Sequence, residues 1–175
     1  MGEQISILQL NAVDCDEFAT LLVDIFEHSA WIPRRACENR PFASVVALHA
    51  SLVAIVEAST RQEQLGLLKA HPQLAGKEAK SGELTDLSNS EQALVGMNSL
   101  SPTQMQEISG LNSRYYEKFG FPFIIAVRKS TRADIFRIWK LRLQNDIESE
   151  IRTCLEQVYI IAELRLADLT GESFN

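Results

Sequence analysis

The chain has few cysteines and no excess of basic residues, and each shortage narrows what the protein can be. Its 175 residues include three cysteines, Cys15, Cys37 and Cys154, which are too far apart for a Cys-x-x-Cys metal motif. An odd number of widely spaced cysteines does not indicate a disulfide framework, so we expect a reducing compartment, the cytoplasm. Lysine and arginine number 17 against 23 aspartate and glutamate, which gives a net charge of −6. A nucleic-acid partner is therefore not expected.

Long apolar runs are also absent. No stretch approaches the roughly 18 apolar residues of a membrane-spanning helix, so we expect no membrane partner. The N-terminal stretch has no basic segment followed by an apolar core, and we expect no signal peptide. Hydrophobic residues make up 46% and charged residues 23% of the chain, which is typical of a globular protein. The length predicts a single domain over residues 1–175.

Apolar residues recur at helical spacing along most of the chain. One such stripe follows a cap at Asp14 and predicts a helix that ends at His28. Its apolar members are Phe18, Leu21, Leu22, Ile25 and Phe26. Thr60 and Glu63 form a capping box, and the helix that they open must end near His71, because a proline follows it. The run PFIIAV at 122–127 is either a buried extended segment or a buried helical turn. We predict a single all-α domain of about seven or eight helices.

Polar residues in three places could carry chemistry. His71 ends a helix before a proline and opens a polar loop, so its ring either has a structural role or faces a cavity. Ser88 and Glu91 match a capping box that predicts a helix starting there, and Gln92 adds an amide. A helix start also attracts anionic ligands, so a capping role and a binding role are compatible. Arg165 lies on or beside the apolar stripe of the last predicted helix, where a cation either extends to solvent or meets an anion.

Five motifs together resemble the OHCU decarboxylase family, whose enzymes act on 2-oxo-4-hydroxy-4-carboxy-5-ureidoimidazoline in urate breakdown. The motif HPxLAG is weak alone, but HPxLAG, SxxEQ and KFGFPFIIAVR in this order are specific as a set. The matching pieces are WIPRRACENRPFAS at 31–44, HPQLAG at 71–76, LTDLSNSEQ at 84–92, YYEKFGFPFIIAVR at 115–128 and IAELRL at 161–166. The resemblance therefore covers most of the chain.

The resemblance implies an all-α fold, a homodimer and the decarboxylation of a small ureide substrate to (S)-allantoin. It implies that no organic cofactor and no metal take part. His71 matches the acid/base catalyst of the family, and Glu91 is expected to act with it. The residues expected to bind substrate are Pro72, Ser88, Glu91, Gln92, Phe123, Ile124, Ile125, Ala126, Val127 and Arg165.

The substrate of that family explains why no cofactor is expected. A ring C=N lies next to the carbon that bears the carboxylate, and it accepts the electron pair that stays behind when CO2 leaves. Two other functions remain open from the residues alone. A cofactor-free ureide hydrolase would use the same histidine and glutamate to activate water, and a non-catalytic helical binding module would show no turnover.

Overall fold

The computed structural model describes residues 4–75, 86–97 and 99–174. This part of the chain contains nine α-helices and no β-strand, which confirms the all-α prediction. Within the same ranges, no helix is both long enough and apolar enough to cross a membrane. Short 3-10 turns lie at Cys37–Asn39 and Val127–Lys129. The helices are α1 Ile7–Ala12, α2 Cys15–Leu21, α3 Trp31–Ala36, α4 Val45–Glu57, α5 Arg61–Ala70, α6 Asp86–Leu94, α7 Pro102–Phe119, α8 Arg132–Arg142 and α9 Ile147–Thr170.

The chain divides into two compact units. The first comprises Met1–Leu67 and Tyr159–Asn175, and the second comprises Leu68–Val158. All of the predicted site residues fall in the second unit except Arg165, which belongs to the first. A single domain over residues 1–175 stays a prediction.

Helix α2, in the first unit, is shorter than its apolar pattern predicts. Asp14 caps it as expected, accepting a hydrogen bond from a first-turn amide at 2.9 Å. The helix ends at Leu21, and the chain continues in turns to His28, whose φ is +49°. Ile25 and Phe26 are nevertheless only 4% and 1% exposed. The predicted helix to His28 was therefore wrong beyond Leu21, because successive turns bury apolar side chains that the pattern assigned to a helix.

The first unit also contains a disulfide that the cysteine spacing did not indicate. Cys15 begins α2 and Cys37 follows α3, and these two helices pack against each other. The two Cα atoms lie 5.6 Å apart and the side chains are joined, whereas Cys154 is free and buried. The expectation of no disulfide was wrong, because pairing depends on helix packing rather than on spacing along the chain. The cytoplasmic location that rested on it stays a prediction.

Helix α7 supplies much of the core of the second unit, and both of its ends follow the sequence. Ser101 and Gln104 form a capping box at its start. Gly120 follows its last turn at a φ of +77°, the left-handed conformation that glycine adopts without steric cost. Tyr115 on this helix has no exposed surface. Three aromatic rings surround it: Phe119, Phe121 and Phe123.

The apolar run at 122–127 is irregular until the 3-10 turn Val127–Lys129 begins. Phe123 stacks on Trp139 of α8, with ring centroids 4.3 Å apart and 9° between the ring planes. All five residues of 123–127 are buried. Because the backbone of 122–126 is irregular, the prediction of a buried helical turn is excluded and that of a buried non-helical segment remains.

Candidate active site

His71 lies where the sequence places it, immediately after helix α5. The helix ends at Ala70, and the His71 amide donates to the Leu68 carbonyl at 3.3 Å. The following proline explains this end, because it disfavours helical backbone in the residue before it. His71 is 8% exposed, so it is a buried polar residue rather than a solvent-facing one. Because buried polar groups need hydrogen-bond partners, His71 is not an ordinary surface histidine.

The SxxEQ motif lies inside a helix and not at its start. Helix α6 already includes Asp86, so Ser88 is a helical residue and cannot be the N-cap. The capping interpretation was wrong, because the i, i+3 spacing of a capping box is also the spacing of one helix face. Ser88, Glu91 and Gln92 therefore share a face. Ser88 and Gln92 are 6% and 8% exposed, and Glu91 is half-buried.

Gln92 connects this helix face to the segment that follows His71. Its side-chain Oε1 accepts a hydrogen bond from the Ala75 amide at 2.9 Å. On the other side of the same segment, the Nδ2 of Asn112 donates to the Leu74 carbonyl at 3.1 Å. Asn112 was absent from the predicted site. The sequence feature that could have indicated it is the position of a polar residue within the apolar stripe of α7, four residues after Ile108.

The third predicted part of the site, residues 123–127, has a firmly held backbone. Arg142 donates to the Ile124 carbonyl at 2.7 Å, and the Ala126 amide donates to the Gln157 side chain at 3.0 Å. The turn Val127–Lys129, which follows the segment, packs against α6. The structure thus connects the SxxEQ helix both to the His71 segment and to the end of the 123–127 segment.

A buried ionic cluster supports that backbone. Arg142 and Glu150 are 6% and 0% exposed and form an ion pair at 2.7 Å. The Tyr115 hydroxyl donates to the same carboxylate, and Asn145 donates to its second oxygen at 2.7 Å. Arg142 also donates to the Cys154 sulfur at 3.0 Å. The cluster places one paired positive charge next to the 123–127 segment, and neither partner of that pair was predicted as a site residue.

The neutral members of this cluster stay neutral at physiological pH. Burial raises the pKa of the Tyr115 hydroxyl well above its usual range. Burial also raises the pKa of the Cys154 thiol to about 11, although the neighbouring Arg142 acts in the opposite direction. Both groups therefore act as hydrogen-bonding groups and not as nucleophiles or bases.

Arg165 has an anionic partner, but in the first unit. The guanidinium donates to the Asp24 carbonyl at 2.8 Å and to Glu27 Oε1 at 2.7 Å. The side chains of this ion pair are 2% and 1% exposed, so Arg165 does not extend to solvent. Glu27 was not predicted, since nothing in its local pattern separates it from an ordinary surface glutamate. Contact between Arg165 and a substrate stays a prediction.

The family model described as OHCU decarboxylase matches residues 11–167. The chain belongs to the OHCU decarboxylase family. A relative in this family is the 2-oxo-4-hydroxy-4-carboxy-5-ureidoimidazoline decarboxylase of Haloferax volcanii, which is 39% identical to this chain. The aligned region covers 94% of this chain and 96% of the Haloferax protein.

Two other similarities involve longer proteins. The uric acid degradation bifunctional protein of Bacillus sp. (strain TB-90) is 41% identical over 95% of this chain, which spans 32% of that protein. A crystal structure of (S)-allantoin synthase has a TM-score of 0.75 at 29% identity, over 94% of this chain and 54% of that one. The chain thus spans about a third of the first protein and about half of the second.

Proposed function

We propose that the chain catalyses the cofactor-independent decarboxylation of 2-oxo-4-hydroxy-4-carboxy-5-ureidoimidazoline to (S)-allantoin in urate catabolism. Membership of the OHCU decarboxylase family supports this. The observation that carries it is the polar buried face of α6, which makes a hydrogen bond to the segment after His71 and packs against the turn after residues 123–127. Ser88, Glu91 and Gln92 together offer hydrogen-bond donors and acceptors, and a ureide offers both as well.

The reaction uses the substrate as its own electron sink. The bond between the ring carbon and the carboxylate breaks, CO2 leaves, and the electron pair moves toward the adjacent C=N, whose nitrogen takes a proton. The hydroxyl on the decarboxylated carbon then loses its proton and becomes the carbonyl of the product. The carbon that bears the ureido group gains a proton and becomes the stereocentre. The protein must therefore align the breaking bond with the C=N and deliver protons to one face.

His71 would carry out the proton transfers, because imidazole can both accept and donate near neutral pH. Glu91 would orient the ring or share its proton. Ser88 and Gln92 would bind the polar edges of the substrate next to Pro72. Backbone groups of residues 123–127 would pair with the flat ureide edge, and Arg165 would bind the substrate anion.

Three further expectations accompany this proposal. The chain is expected to form a homodimer, to act in the cytoplasm and to fold as one domain over residues 1–175. Resemblance to the OHCU decarboxylase family supports the first.

One assay separates this function from its alternatives. Freshly prepared substrate is added to the purified protein, and CO2 release is followed together with circular dichroism. The proposal predicts CO2 and the dichroism of a single allantoin enantiomer. Ammonia or urea without CO2 would identify a ureide hydrolase instead, and binding without turnover would identify a binding module.

A further inference from the structure

One peptide bond close to His71 is held from both sides by side-chain amides. The carbonyl of Leu74 and the amide of Ala75 belong to the same peptide group. Asn112 of α7 donates to the carbonyl at 3.1 Å, and Gln92 of α6 accepts from the amide at 2.9 Å. Both side chains are buried. We call this arrangement the 74–75 clamp.

The clamp holds a backbone conformation that alanine rarely adopts. The φ of Ala75 is +48°, in the left-handed region where a Cβ crowds the following carbonyl. A non-glycine residue stays there when its surroundings determine the conformation more strongly than its own preference. Hydrogen bonds to both polar groups of the peptide provide that determination. Such strained positions concentrate at functional sites.

Asn112 is a poor choice for stability alone. Its Nδ2 faces the Leu74 carbonyl, which leaves Oδ1 pointing elsewhere. That Oδ1 is buried and has no hydrogen-bond partner among the described residues. A buried acceptor without a partner destabilises a fold, and an apolar side chain of similar size would avoid the cost. The presence of Asn112 is explained instead by its hydrogen bond to the Leu74 carbonyl, which holds the backbone of that segment in place.

The segment that it grips begins at His71. Only two residues, Pro72 and Gln73, separate His71 from the clamped peptide. On the other side, the His71 amide is tied to the last turn of α5 at 3.3 Å. Pro72 further restricts the connection, because its ring fixes its own φ. The backbone of His71 thus begins a short segment that is held at both ends.

We propose that Asn112 is a positioning residue for His71, acting through the 74–75 clamp. This inference rests on the proposed function for the catalytic role of His71, but the clamp itself does not. Displacements of about 1 Å can cost about 100-fold in rate, so loosening the clamp should lower kcat while leaving substrate binding largely intact. A residue that serves stability alone would not produce that separation of kcat from KM.

The first test compares Asn112→Ala with a matched control, Asn11→Ala. Asn11 also grips a backbone with its amide, donating to the Phe42 carbonyl and accepting from the Phe42 amide, both at 2.8 Å, in the first unit. Asn112→Ala should lower kcat by about 10- to 100-fold with KM changed by less than about threefold. Asn11→Ala should lower the melting temperature at unchanged kcat. Equal kcat for Asn112→Ala and the wild type would overturn the proposal.

The second test uses Asn112→Asp, which keeps the shape of the side chain. An ionised carboxylate cannot donate to the Leu74 carbonyl, whereas a protonated one can. The kcat of this variant relative to wild type should therefore rise as the pH falls, while the same ratio for Asn112→Ala should stay flat. Parallel profiles for the two variants would contradict a role through this donor. Loss of the fold in both variants would assign Asn112 to stability and would also overturn the proposal.

Amide exchange makes the clamp testable without turnover. The Ala75 amide should exchange slowly in the wild type, because it donates to Gln92. In Asn112→Ala it should exchange at least about tenfold faster, and in Asn11→Ala it should not change. An inactive wild type with this exchange pattern would refute the proposed function and leave the clamp standing. An active wild type with no change of exchange would refute the clamp alone.

Discussion

His71 is the residue on which the proposed chemistry depends most. We predict that His71→Ala lowers kcat/KM by about 10²–10⁴, the usual contribution of general acid–base catalysis. The free energy of unfolding should fall by about 1–2 kcal/mol, within the usual range for a single substitution. Steady-state kinetics and urea unfolding measure the two effects.

His49 provides a control for the loss of an imidazole. Its ring Nε2 lies 2.9 Å from the Tyr159 carbonyl, and no predicted site residue is involved. His49→Ala should therefore alter stability with full turnover. Wild-type turnover in His71→Ala would remove His71 from the mechanism.

Glu91 can be assigned more sharply than the sequence alone allowed. Because Ser88 lies within α6, Glu91 does not complete an N-cap with it, and we expect Glu91 to act in the site. We predict that Glu91→Gln lowers kcat at an unchanged melting temperature. Glu117→Gln, on the exposed face of α7, is the matched control and should change neither kcat nor the melting temperature. A fully active Glu91→Gln would exclude Glu91 from the proton transfers.

Arg165 and Glu27 form a pair whose loss should be seen first in stability. Removing one partner of a buried ion pair typically costs about 3–5 kcal/mol, because the other charge remains buried. We predict such a loss in the free energy of unfolding for Arg165→Ala. The double variant Arg165→Ala, Glu27→Ala should lose less than the sum of the single variants, as urea unfolding can measure.

The same double variant separates structure from binding. If Arg165 also binds the substrate anion, KM should remain raised in the double variant even where stability is recovered. A double variant with normal kinetics would limit Arg165 to its pairing with Glu27.

Helix α5 carries its own response to acid. Glu63 pairs with Arg35 and completes the capping box with Thr60, and these hydrogen bonds lower the pKa of its carboxyl from 4.5 to about 2. A carboxyl with a lowered folded-state pKa stabilises the fold above its unfolded pKa, and that contribution disappears as the pH falls through its folded pKa.

We therefore predict that the melting temperature of the wild type exceeds that of Glu63→Gln at pH 6. The difference should shrink between pH 4.5 and pH 2, the two pKa values of this carboxyl. Thermal unfolding of both proteins across this range is the measurement. A difference that stays constant down to pH 2 would show that the carboxylate charge contributes nothing at this helix start.

Local chemistry made the helix starts predictable and left several ends and side chains unpredictable. Asp14 and Ser101 cap their helices as expected, because capping involves residues that are neighbours in sequence. Ser88 was misplaced because a capping box and a helix interior share one spacing. Asn112 and Arg142 were missed because the value of a polar residue in an apolar stripe depends on which distant backbone group it reaches.

For the whole molecule, the fold class followed from periodicity, whereas the pairing of Cys15 with Cys37 did not. Helical periodicity is repeated along the chain, so many residues independently indicate the same fold class. A disulfide depends on two residues separated by 22 positions and on the packing of the helices that carry them. The family motifs supplied the candidate site as a set, and the structure adds the contacts that link the parts of that set within the second unit.

The intact protein should need no added cofactor for the proposed reaction. The substrate accepts its own electron pair, so neither a metal nor an organic sink is required for bond cleavage. We predict that dialysis against a strong chelator leaves kcat unchanged. Activity that is lost on dialysis and restored by a divalent metal would contradict this mechanism.

The stacking of Trp139 on Phe123 gives the protein an optical reporter of its own. The chain has two tryptophans, and Trp31 belongs to the first unit, under the guanidinium of Arg35. Trp139 has no exposed surface and stacks on Phe123, so its fluorescence should respond to a displacement of that ring. Phe123 begins the segment expected to line the substrate. With Trp31 replaced by phenylalanine, the emission of a single indole would follow that segment as it meets a ligand, in real time and without a label.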